Sequence, residues 1–289
     1  MNKILVTGAN GQLGSEIKQA SNNYSEYKFY FTSRKELDIS NPIDIENYIK
    51  NNNISIIINC AAYTAVDLAE QEKEQANSIN NIAVKNLANI SKKYNIKLVH
   101  ISTDYVFDGT NHKPYIETDD TNPKSIYGQT KLDGEQAILS INPLNSIIIR
   151  TSWVYSCFGN NFVKTMLKLG SSRDELGVIS DQVGTPTYAK DLATSILDIL
   201  SKIKNNKVEI YHYSNDGVCS WYDFAKNIMD IADIDCKINS IETKEYPTPA
   251  SRPHYSILNK SKIKNDFEIN IPYWKDSLSE CIKKVLNDK

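Results

Sequence analysis

The first half of the chain alternates short apolar runs with longer stretches in which apolar residues recur at every third or fourth position. Runs rich in β-branched and aromatic residues predict buried strands, and the periodic stretches predict amphipathic helices. Asn41 followed by Pro42 marks the beginning of one helix, because asparagine caps free N–H groups and proline fits the first helical position. The predicted strands are 3–7, 27–32, 54–59, 97–102 and 146–150, and the predicted helices are 13–20, 42–50, 70–94 and 125–139.

The order of these elements predicts the fold class. Strand, helix and strand in alternation imply right-handed crossovers, which build a doubly wound parallel sheet of the Rossmann type. The second half is less regular, with a predicted helix at 189–204 and a strand at 209–213 that returns to the sheet. We therefore expect an α/β protein with two parts: a Rossmann-type domain over 1–152 that includes about 189–215, and a smaller C-terminal substrate-binding lobe formed by 153–188 and 216–289.

Composition and charge narrow the function classes. The chain has 289 residues, with 33 Lys and Arg against 35 Asp and Glu, so it has no net basic field to attract nucleic acid. Its apolar runs are too short to span a membrane. The five cysteines are scattered and the four histidines lack zinc-ligand spacing, so we expect reduced thiols and no metal site. Because no signal-peptide pattern follows Met1, we expect a cytoplasmic protein.

Three glycines with the spacing GxxGxxG follow the first predicted strand and open a helix. They are Gly8, Gly11 and Gly14. Glycines at this place allow a tight turn and a close backbone approach to a pyrophosphate, which the N–H groups of the helix then bind. The context favours a dinucleotide-binding loop, and an ordinary strand–helix turn is the alternative.

The end of the second predicted strand bears on the choice of cofactor. An acidic residue that binds a ribose 2′-hydroxyl is typical here, but the chain has Ser33, Arg34 and Lys35. A hydroxyl and two cations suit a 2′-phosphate, so we predict NADPH, with NADH left open. An ordinary solvated loop is the alternative. Asp38 lies too far along the chain to be the usual ribose ligand and is expected on the adenine side.

Tyr127 and Lys131 form the candidate catalytic pair. The chain has three pairs with this Tyr-x-x-x-Lys spacing, and the others are Tyr24/Lys28 and Tyr222/Lys226. Tyr127 alone opens a predicted helix that follows a strand ending in a hydroxyl residue, Thr103. The spacing of four residues places both side chains on one face of that helix.

The chemistry of carbonyl reduction explains these residue types. A carbonyl that accepts a hydride needs a proton on its oxygen, and a tyrosine donates one when a nearby ammonium favours its anion. Thr103 would hold the substrate oxygen against Tyr127. An exposed amphipathic helix that happens to carry a surface tyrosine is the alternative interpretation.

Several stretches of the chain resemble one known family, the extended short-chain dehydrogenase/reductases, and within it the dTDP-4-dehydrorhamnose reductases. STDYVFDG at 102–109 followed by YGQTKLDGE at 127–135 is typical of this subgroup, whereas the bare Tyr-x-x-x-Lys spacing is not. Further matching stretches lie at 4–14, 59–70, 148–155, 159–167, 180–193 and 251–256.

The resemblance implies roles for individual residues at matching positions. Thr103, Tyr127 and Lys131 become the catalytic triad. Positions implied on the cofactor side, besides the glycines, are Gln12, Leu13, Asp38, Ile39, Ala62, Tyr63 and Thr64. Positions implied beside a nucleotide sugar are Asp104, Trp153, Gly184, Thr185, Pro186 and Arg252. An arginine suits a diphosphate because its planar fork matches phosphate oxygens, although a surface arginine and a core tryptophan are the ordinary alternatives.

One position departs from the family pattern. Some members hold Mg²⁺ between two subunits with an acidic residue on the first helix and a second one after the stretch GTPT. Glu16 matches the first position, but Lys190 occupies the second, with Asp191 beside it. Because a charged lysine cannot ligate a metal, we expect no Mg²⁺-bridged dimer, and a metal-free homodimer stays open.

The resemblance implies NADPH-dependent reduction of the C4 keto group of dTDP-4-dehydro-L-rhamnose to dTDP-L-rhamnose. A sister reductase that gives dTDP-6-deoxy-L-talose is one alternative, because the sequence does not fix which face of C4 meets the hydride. A regulatory subunit of the same fold that binds the cofactor without turnover is the other, and the intact Thr103, Tyr127 and Lys131 argue against it.

Overall fold

The computed structural model describes residues 1–287. Its strands are β1 (Asn2–Thr7), β2 (Tyr27–Thr32), β3 (Ile56–Asn59), β4 (Lys97–Thr103), β5 (Ile147–Thr151), β6 (Val154–Tyr155), β7 (Glu175–Ile179), β8 (Val183–Gly184), β9 (Thr187–Tyr188), β10 (Glu209–His212), β11 (Cys219–Ser220) and β12 (Lys237–Ile241). Its α-helices are α1 (Gln12–Ala20), α2 (Pro42–Asn52), α3 (Val66–Ala69), α4 (Lys73–Asn77), α5 (Ala83–Tyr94), α6 (Ile126–Ile141), α7 (Phe162–Gly170), α8 (Ala189–Ile199), α9 (Trp221–Ala232), α10 (Ser261–Phe267) and α11 (Trp274–Asn287). None of these helices is long and apolar enough to cross a membrane.

Six parallel strands form the central sheet, in the order β10-β5-β4-β3-β1-β2. The predicted doubly wound sheet of the Rossmann type is therefore confirmed, and β10 returns to its edge. The strands are rich in isoleucine because both faces are covered: Ile56, Ile57 and Ile58 of β3 are all buried. Helices α1 and α8 pack on one face, and α2 and α5 pack on the other.

The helix predicted over 70–94 is wrong as a single element. A turn precedes α4, and a π-helical segment, Ser78–Ile82, separates α4 from α5. Asn80 in this segment is fully buried and donates hydrogen bonds to the Tyr63 carbonyl oxygen and to Thr130 Oγ1 of α6. These tertiary hydrogen bonds offset the free-energy cost of the wider helical turn. Short π-helical segments inside α-helices are frequent at functional sites.

A second hydrophobic core lies outside the sheet. It joins α7, α9 and α11, and three short strand pairs surround it: β6 with β9, β7 with β12, and β8 with β11. Helix α10 belongs to the other core, since Ile263 and Phe267 pack among the residues that cover the sheet. The C-terminal segment therefore crosses between the two cores.

Candidate active site

A cavity of about 520 Å³ opens at the carboxyl ends of β1, β3 and β4. Ligands of open parallel sheets bind at this edge. The predicted cofactor-side residues that line it are Gly8, Gly11, Gln12, Leu13, Gly14, Ser33, Arg34, Asp38, Ile39, Ala62, Thr64, Tyr127 and Lys131. Tyr63 is the exception: its phenol turns away from the cavity and donates a hydrogen bond to Glu72 Oε2 at 2.8 Å.

The glycine loop forms a cradle that side chains would fill. Gly8 has a φ of +65°, and a Cβ there would come within 2.7 Å of the Ala61 nitrogen. The backbone therefore passes close to the neighbouring strand end only because Gly8 has no side chain. No side chain caps the N-terminus of α1, so its first N–H groups face the cavity for an anion.

The loop after β2 contributes polar groups to the same cavity. The backbone N–H of Ser33 donates a hydrogen bond to Glu36 at 2.7 Å, which lowers the pKa of that carboxyl. The N–H and hydroxyl of Ser40 bind Asp38 and lower the pKa of its carboxyl. Within residues 1–287, Arg34 forms no salt bridge, so its guanidinium is available at the cavity wall.

Tyr127 and Lys131 extend from the first turns of α6 into the cavity. Ser125 caps this helix by accepting a hydrogen bond from the Gly128 N–H, and a side chain at Gly128 would collide with the Tyr105 carbonyl oxygen. Lys131 Nζ donates a hydrogen bond to the Ile101 carbonyl oxygen at 2.6 Å. The close packing of α6 on the end of β4 fixes both side chains.

Burial shifts the titration of both groups toward their neutral forms. It raises the pKa of the Tyr127 phenol to about 12, although the Thr103 hydroxyl opposes this rise by favouring the anion. Burial also lowers the pKa of the Lys131 ammonium to about 8, and Glu135 opposes that change. The two pKa values are therefore further apart than the ordinary values of 10.0 for tyrosine and 10.5 for lysine, so each group is held in its neutral form over a wider pH range.

Thr103 and Asp104 lie at the end of β4, beside the cavity rather than on its wall. The Thr103 hydroxyl donates a hydrogen bond to Asp104 Oδ1 at 3.0 Å. Burial raises the pKa of the Asp104 carboxyl to about 6, and its Oδ2 has no hydrogen-bond partner among residues 1–287. An unpartnered buried carboxyl oxygen is available to a hydroxyl donor.

The predicted substrate-side residues lie between the sheet and the second core. The Trp153 indole stacks on Trp221 with 3.6 Å between ring centroids, and its backbone is left-handed with a φ of +49°. A side chain at Gly184 would strike the same indole. Thr185 is buried and donates to the Gly217 carbonyl oxygen at 2.8 Å, and the adjacent Pro186 is buried too.

Arg252 joins the C-terminal segment to the loop after β3. Its guanidinium donates to both carboxylate oxygens of Asp67, at 3.0 and 2.7 Å, in a bidentate ion pair. This ion pair is partly exposed. It fixes the orientation of the planar guanidinium, the group that the family resemblance assigns to a diphosphate.

Comparison with known proteins identifies the family. A family model described as the RmlD substrate binding domain matches residues 1–287. The dTDP-4-dehydrorhamnose reductase of Aggregatibacter actinomycetemcomitans is 41% identical over 287 residues, which cover 96% of this chain and 97% of that relative. The chain belongs to the dTDP-4-dehydrorhamnose reductase family. The resemblance found in the sequence is therefore confirmed.

Solved structures of the family agree in fold. The crystal structure of a dTDP-4-dehydrorhamnose reductase from Clostridium acetobutylicum has a TM-score of 0.92 and 42% identity, covering 98% of this chain and 99% of that one. A dTDP-4-dehydrorhamnose reductase from Bacillus anthracis, solved in complex with NADP, has a TM-score of 0.92 and 39% identity, covering 98% of this chain and all of that one.

The side chains at the positions that the resemblance associates with Mg²⁺ bind other groups of this chain. Lys190 forms an ion pair with Glu280, and Glu16 is buried and accepts a hydrogen bond from the Ser156 hydroxyl. Asp191 is bound by Asn215 and Ser277. Residues 1–287 hold no cluster of three His, Cys, Asp or Glu side chains arranged for a metal.

Several cavity residues escaped the sequence-based prediction. Ser78 and Ile79 reach the cavity from the π-helical segment, and Gly159 and Asn160 reach it from the loop before α7. The stretch 159–167 resembles the family, but nothing in its residues indicated a place beside the glycine loop. The approach of this part of the chain to the glycine loop depends on Gln12, whose amide donates a hydrogen bond to the Val154 carbonyl oxygen at 3.3 Å. The two residues are 142 positions apart in the sequence.

Proposed function

We propose that this chain is an NADPH-dependent reductase that converts the C4 keto group of dTDP-4-dehydro-L-rhamnose into the hydroxyl of dTDP-L-rhamnose. One observation carries the proposal: Tyr127 and Lys131 extend from one helix into the cavity that the glycine loop borders. Membership of the dTDP-4-dehydrorhamnose reductase family supports the substrate, and the NADP complex of the Bacillus anthracis relative supports the cofactor.

The residues of the cavity fit a dinucleotide phosphate. A cradle that a Cβ at Gly8 would fill and the uncapped N-terminus of α1 suit the pyrophosphate. Ser33 and Arg34 suit a 2′-phosphate, and the apolar wall at Ile39 suits an adenine. When bound, this cofactor supplies the hydride that the reduction consumes.

The chain's own residues supply the proton and the orientation. The Thr103 hydroxyl holds the keto oxygen against Tyr127, and the Tyr127 phenol gives that oxygen its proton as carbon 4 becomes an alcohol. The Lys131 ammonium stabilises the phenolate that forms, and the proton is then replaced from solvent. The free carboxyl oxygen of Asp104 binds a neighbouring sugar hydroxyl.

The diphosphate of the substrate is assigned to Arg252. The segment that carries it faces the loop after β3, and its guanidinium already binds a carboxylate there. Trp153 supplies an apolar face to the sugar, held by Gly184 on one side and Trp221 on another. Thr185 and Pro186 are buried and therefore shape the wall behind these side chains.

The proposal is tested by following NADPH absorbance with dTDP-4-dehydro-L-rhamnose as substrate. We expect turnover in the wild type and a loss of about 10²–10⁴ in kcat for Tyr127→Phe, because the variant lacks the proton donor. NADP⁺ affinity by calorimetry should stay nearly unchanged. Tyr222→Phe is the matched control, since Tyr222 has the same spacing to Lys226 but lies in the second core.

Three outcomes contradict the proposal in different ways. Near-normal turnover by Tyr127→Phe removes Tyr127 from the reaction. No loss of NADPH absorbance at saturating substrate favours a cofactor-binding subunit without turnover. Proton NMR of the product distinguishes the remaining case, because the coupling between the protons on carbons 3 and 4 separates a rhamnose from a 6-deoxy-talose.

A further inference from the structure

A buried ion pair lies one helical turn beyond Lys131. Glu135 of α6 is 0% exposed and Arg150 of β5 is 2% exposed. Arg150 donates from Nε to Glu135 Oε1 at 3.0 Å and from one terminal nitrogen to Oε2 at 2.7 Å. Neither residue lines the cavity. Burying such a pair costs desolvation that its attraction often fails to offset, so stability alone is a weak reason for its presence.

The position of the pair relative to Lys131 suggests another reason. Lys131 and Glu135 are four residues apart on α6, so both side chains lie on the face that packs against β4. Lys131 is 2% exposed, and its ammonium donates one hydrogen bond within residues 1–287, to the Ile101 carbonyl oxygen. A buried ammonium with so little hydrogen bonding depends on nearby charge to stay protonated.

The other groups around Lys131 do not supply that charge. Cys60 follows β3, and burial raises the pKa of its thiol to about 12, so it is neutral. His100 of β4 is buried with its pKa lowered, so it is neutral as well. Tyr127 on the same helix is neutral before the reaction. Glu135 is the carboxylate whose charge acts on the ammonium.

Arg150 limits the effect of that carboxylate. Its guanidinium holds both oxygens of Glu135 and lies over the Phe107 ring, 5.0 Å from the centroid. His212, on the neighbouring strand β10, has its pKa lowered to about 3 by burial and by Arg150, so it adds no charge. Lys131, Glu135 and Arg150 together therefore carry one net positive charge, which the Asp104 carboxylate opposes at the Tyr127 phenol.

We propose that Glu135 and Arg150 are positioning residues that together set the charge of Lys131: the Glu135 carboxylate keeps the ammonium protonated in the interior, and Arg150 restrains the carboxylate so that a net positive field still reaches the Tyr127 phenol. This inference rests on the proposed function for its catalytic consequence. Its electrostatic part concerns Lys131 alone and is measurable without substrate.

The test is an NMR titration of the full chain labelled with ¹³C at the lysine ε carbon, with the Lys131 signal assigned from Lys131→Arg. In Glu135→Gln, the ammonium loses its compensating charge and faces Arg150, so its midpoint should fall by about one pH unit or more. In Arg150→Met, the Glu135 carboxylate no longer binds a guanidinium, so its full charge acts on Lys131 and the Lys131 midpoint should rise. Asp133→Asn is the matched control, because it removes a carboxylate from the outer face of α6 and should cause no shift.

A double variant protects the test against misfolding. Glu135→Gln leaves a buried arginine unpaired, whereas Glu135→Gln with Arg150→Met removes both charges. Because Glu135 acts on Lys131 more strongly than Arg150 does, the double variant should lower the midpoint by less than Glu135→Gln alone. If the substitutions only disturbed packing, thermal stability would fall, but the Lys131 midpoint would not move in opposite directions in Glu135→Gln and Arg150→Met.

The outcomes are separable from those that test the proposed function. Unchanged Lys131 midpoints, or shifts in the same direction for both single variants, overturn the inference. The basic limb of the pH profile of kcat/KM for sugar reduction should move with the Lys131 midpoint in each variant. If the midpoints move as expected and the wild type shows no turnover, the proposed function fails while the electrostatic assignment stands.

Discussion

The cofactor side and the substrate side of this site are built in different ways. The predicted cofactor side is a formed cavity, bordered by the glycine loop and by polar and apolar side chains such as Arg34 and Ile39. On the substrate side, the polar side chains already bind one another: Arg252 binds Asp67, and Thr103 binds Asp104. Within residues 1–287, a cofactor phosphate can therefore reach Arg34 and the uncapped N-terminus of α1 without breaking an ion pair, whereas a sugar nucleotide must replace internal partners of Arg252 and Thr103. We expect substitutions on the two sides to separate these two modes of binding.

The largest effect is expected where the backbone itself forms the site. Gly8→Val places a β-branched side chain at a φ of +65°, against the backbone of Ala61. NADP⁺ affinity measured by calorimetry should fall by about 100-fold, since the strain and the lost approach to the pyrophosphate add together. Affinity for dTDP should stay within about twofold, because Trp153 and Arg252, which we assign to that ligand, do not line the cavity at Gly8.

Gly177→Ala is the control for the first prediction. A Cβ there meets the Ile241 side chain at 3.3 Å, on the exposed face of the β7–β12 pair and away from the cavity. Its NADP⁺ affinity should equal that of the wild type. If Gly8→Val binds NADP⁺ within a few-fold of the wild type, the glycine loop is not the pyrophosphate site.

The second effect concerns Asp104 and has a defined dependence on pH. Its pKa is about 6 in the folded chain against 3.8 for the ordinary group, so the folded chain holds this proton more tightly. The protonated Asp104 carboxyl therefore contributes to the free energy of unfolding below about pH 4, and this contribution is lost as the pH rises towards 6 and above. Asp104→Asn should raise the free energy of unfolding at pH 8 by about 1–3 kcal/mol, lose that advantage near pH 4, and weaken substrate binding.

Asp108→Asn tests the sign of the second prediction. Thr110 donates hydrogen bonds to the Asp108 carboxylate and lowers its pKa, so this variant should lose stability at pH 8 instead of gaining it. Thermal unfolding of both variants at pH 8 and pH 4 measures the difference. A destabilised Asp104→Asn at pH 8 would show that the buried carboxylate is satisfied in the folded chain.

The smallest effect is expected at the partly exposed ion pair. Asp67→Asn removes the charge that competes for the Arg252 guanidinium, so dTDP should bind up to about fivefold more tightly, consistent with the modest strength of exposed pairs. Calorimetric titration with dTDP, with NADP⁺ affinity as the internal control, measures this change. Weaker binding of dTDP would show that Asp67 holds Arg252 in the orientation that the diphosphate needs.

The features that the sequence predicts lie mainly on the cofactor side, and those that it does not predict lie mainly on the substrate side. Asn41 caps α2 by accepting a hydrogen bond from the Ile43 N–H, and Pro42 begins the helix as predicted, because both signals are local. The glycine loop lies at the cavity, as its place after a short first strand indicates. Of the three Tyr-x-x-x-Lys pairs, only that at Tyr127 reaches this cavity within residues 1–287, so the context around the motif was decisive.

The partners of the substrate-side residues could not be predicted. Asp67 and Arg252 are 185 residues apart, and Trp221 meets Trp153 through the packing of two separate elements. The π-helical segment Ser78–Ile82 also escaped prediction, because its apolar periodicity resembles that of the α-helices on either side. In each case the deciding contacts form only when distant parts of the chain meet.

Gln12 begins the helix of the glycine loop and also holds the rim of the second core, through the Val154 carbonyl oxygen and the Asn161 amide, the latter at 2.9 Å. Together with the hydrogen bond from the Ser156 hydroxyl to Glu16, these contacts join α1 to the edge of the second core. We therefore expect a displacement of the glycine loop to shift β6, the strand that follows Trp153, so that the two sides of the site move together.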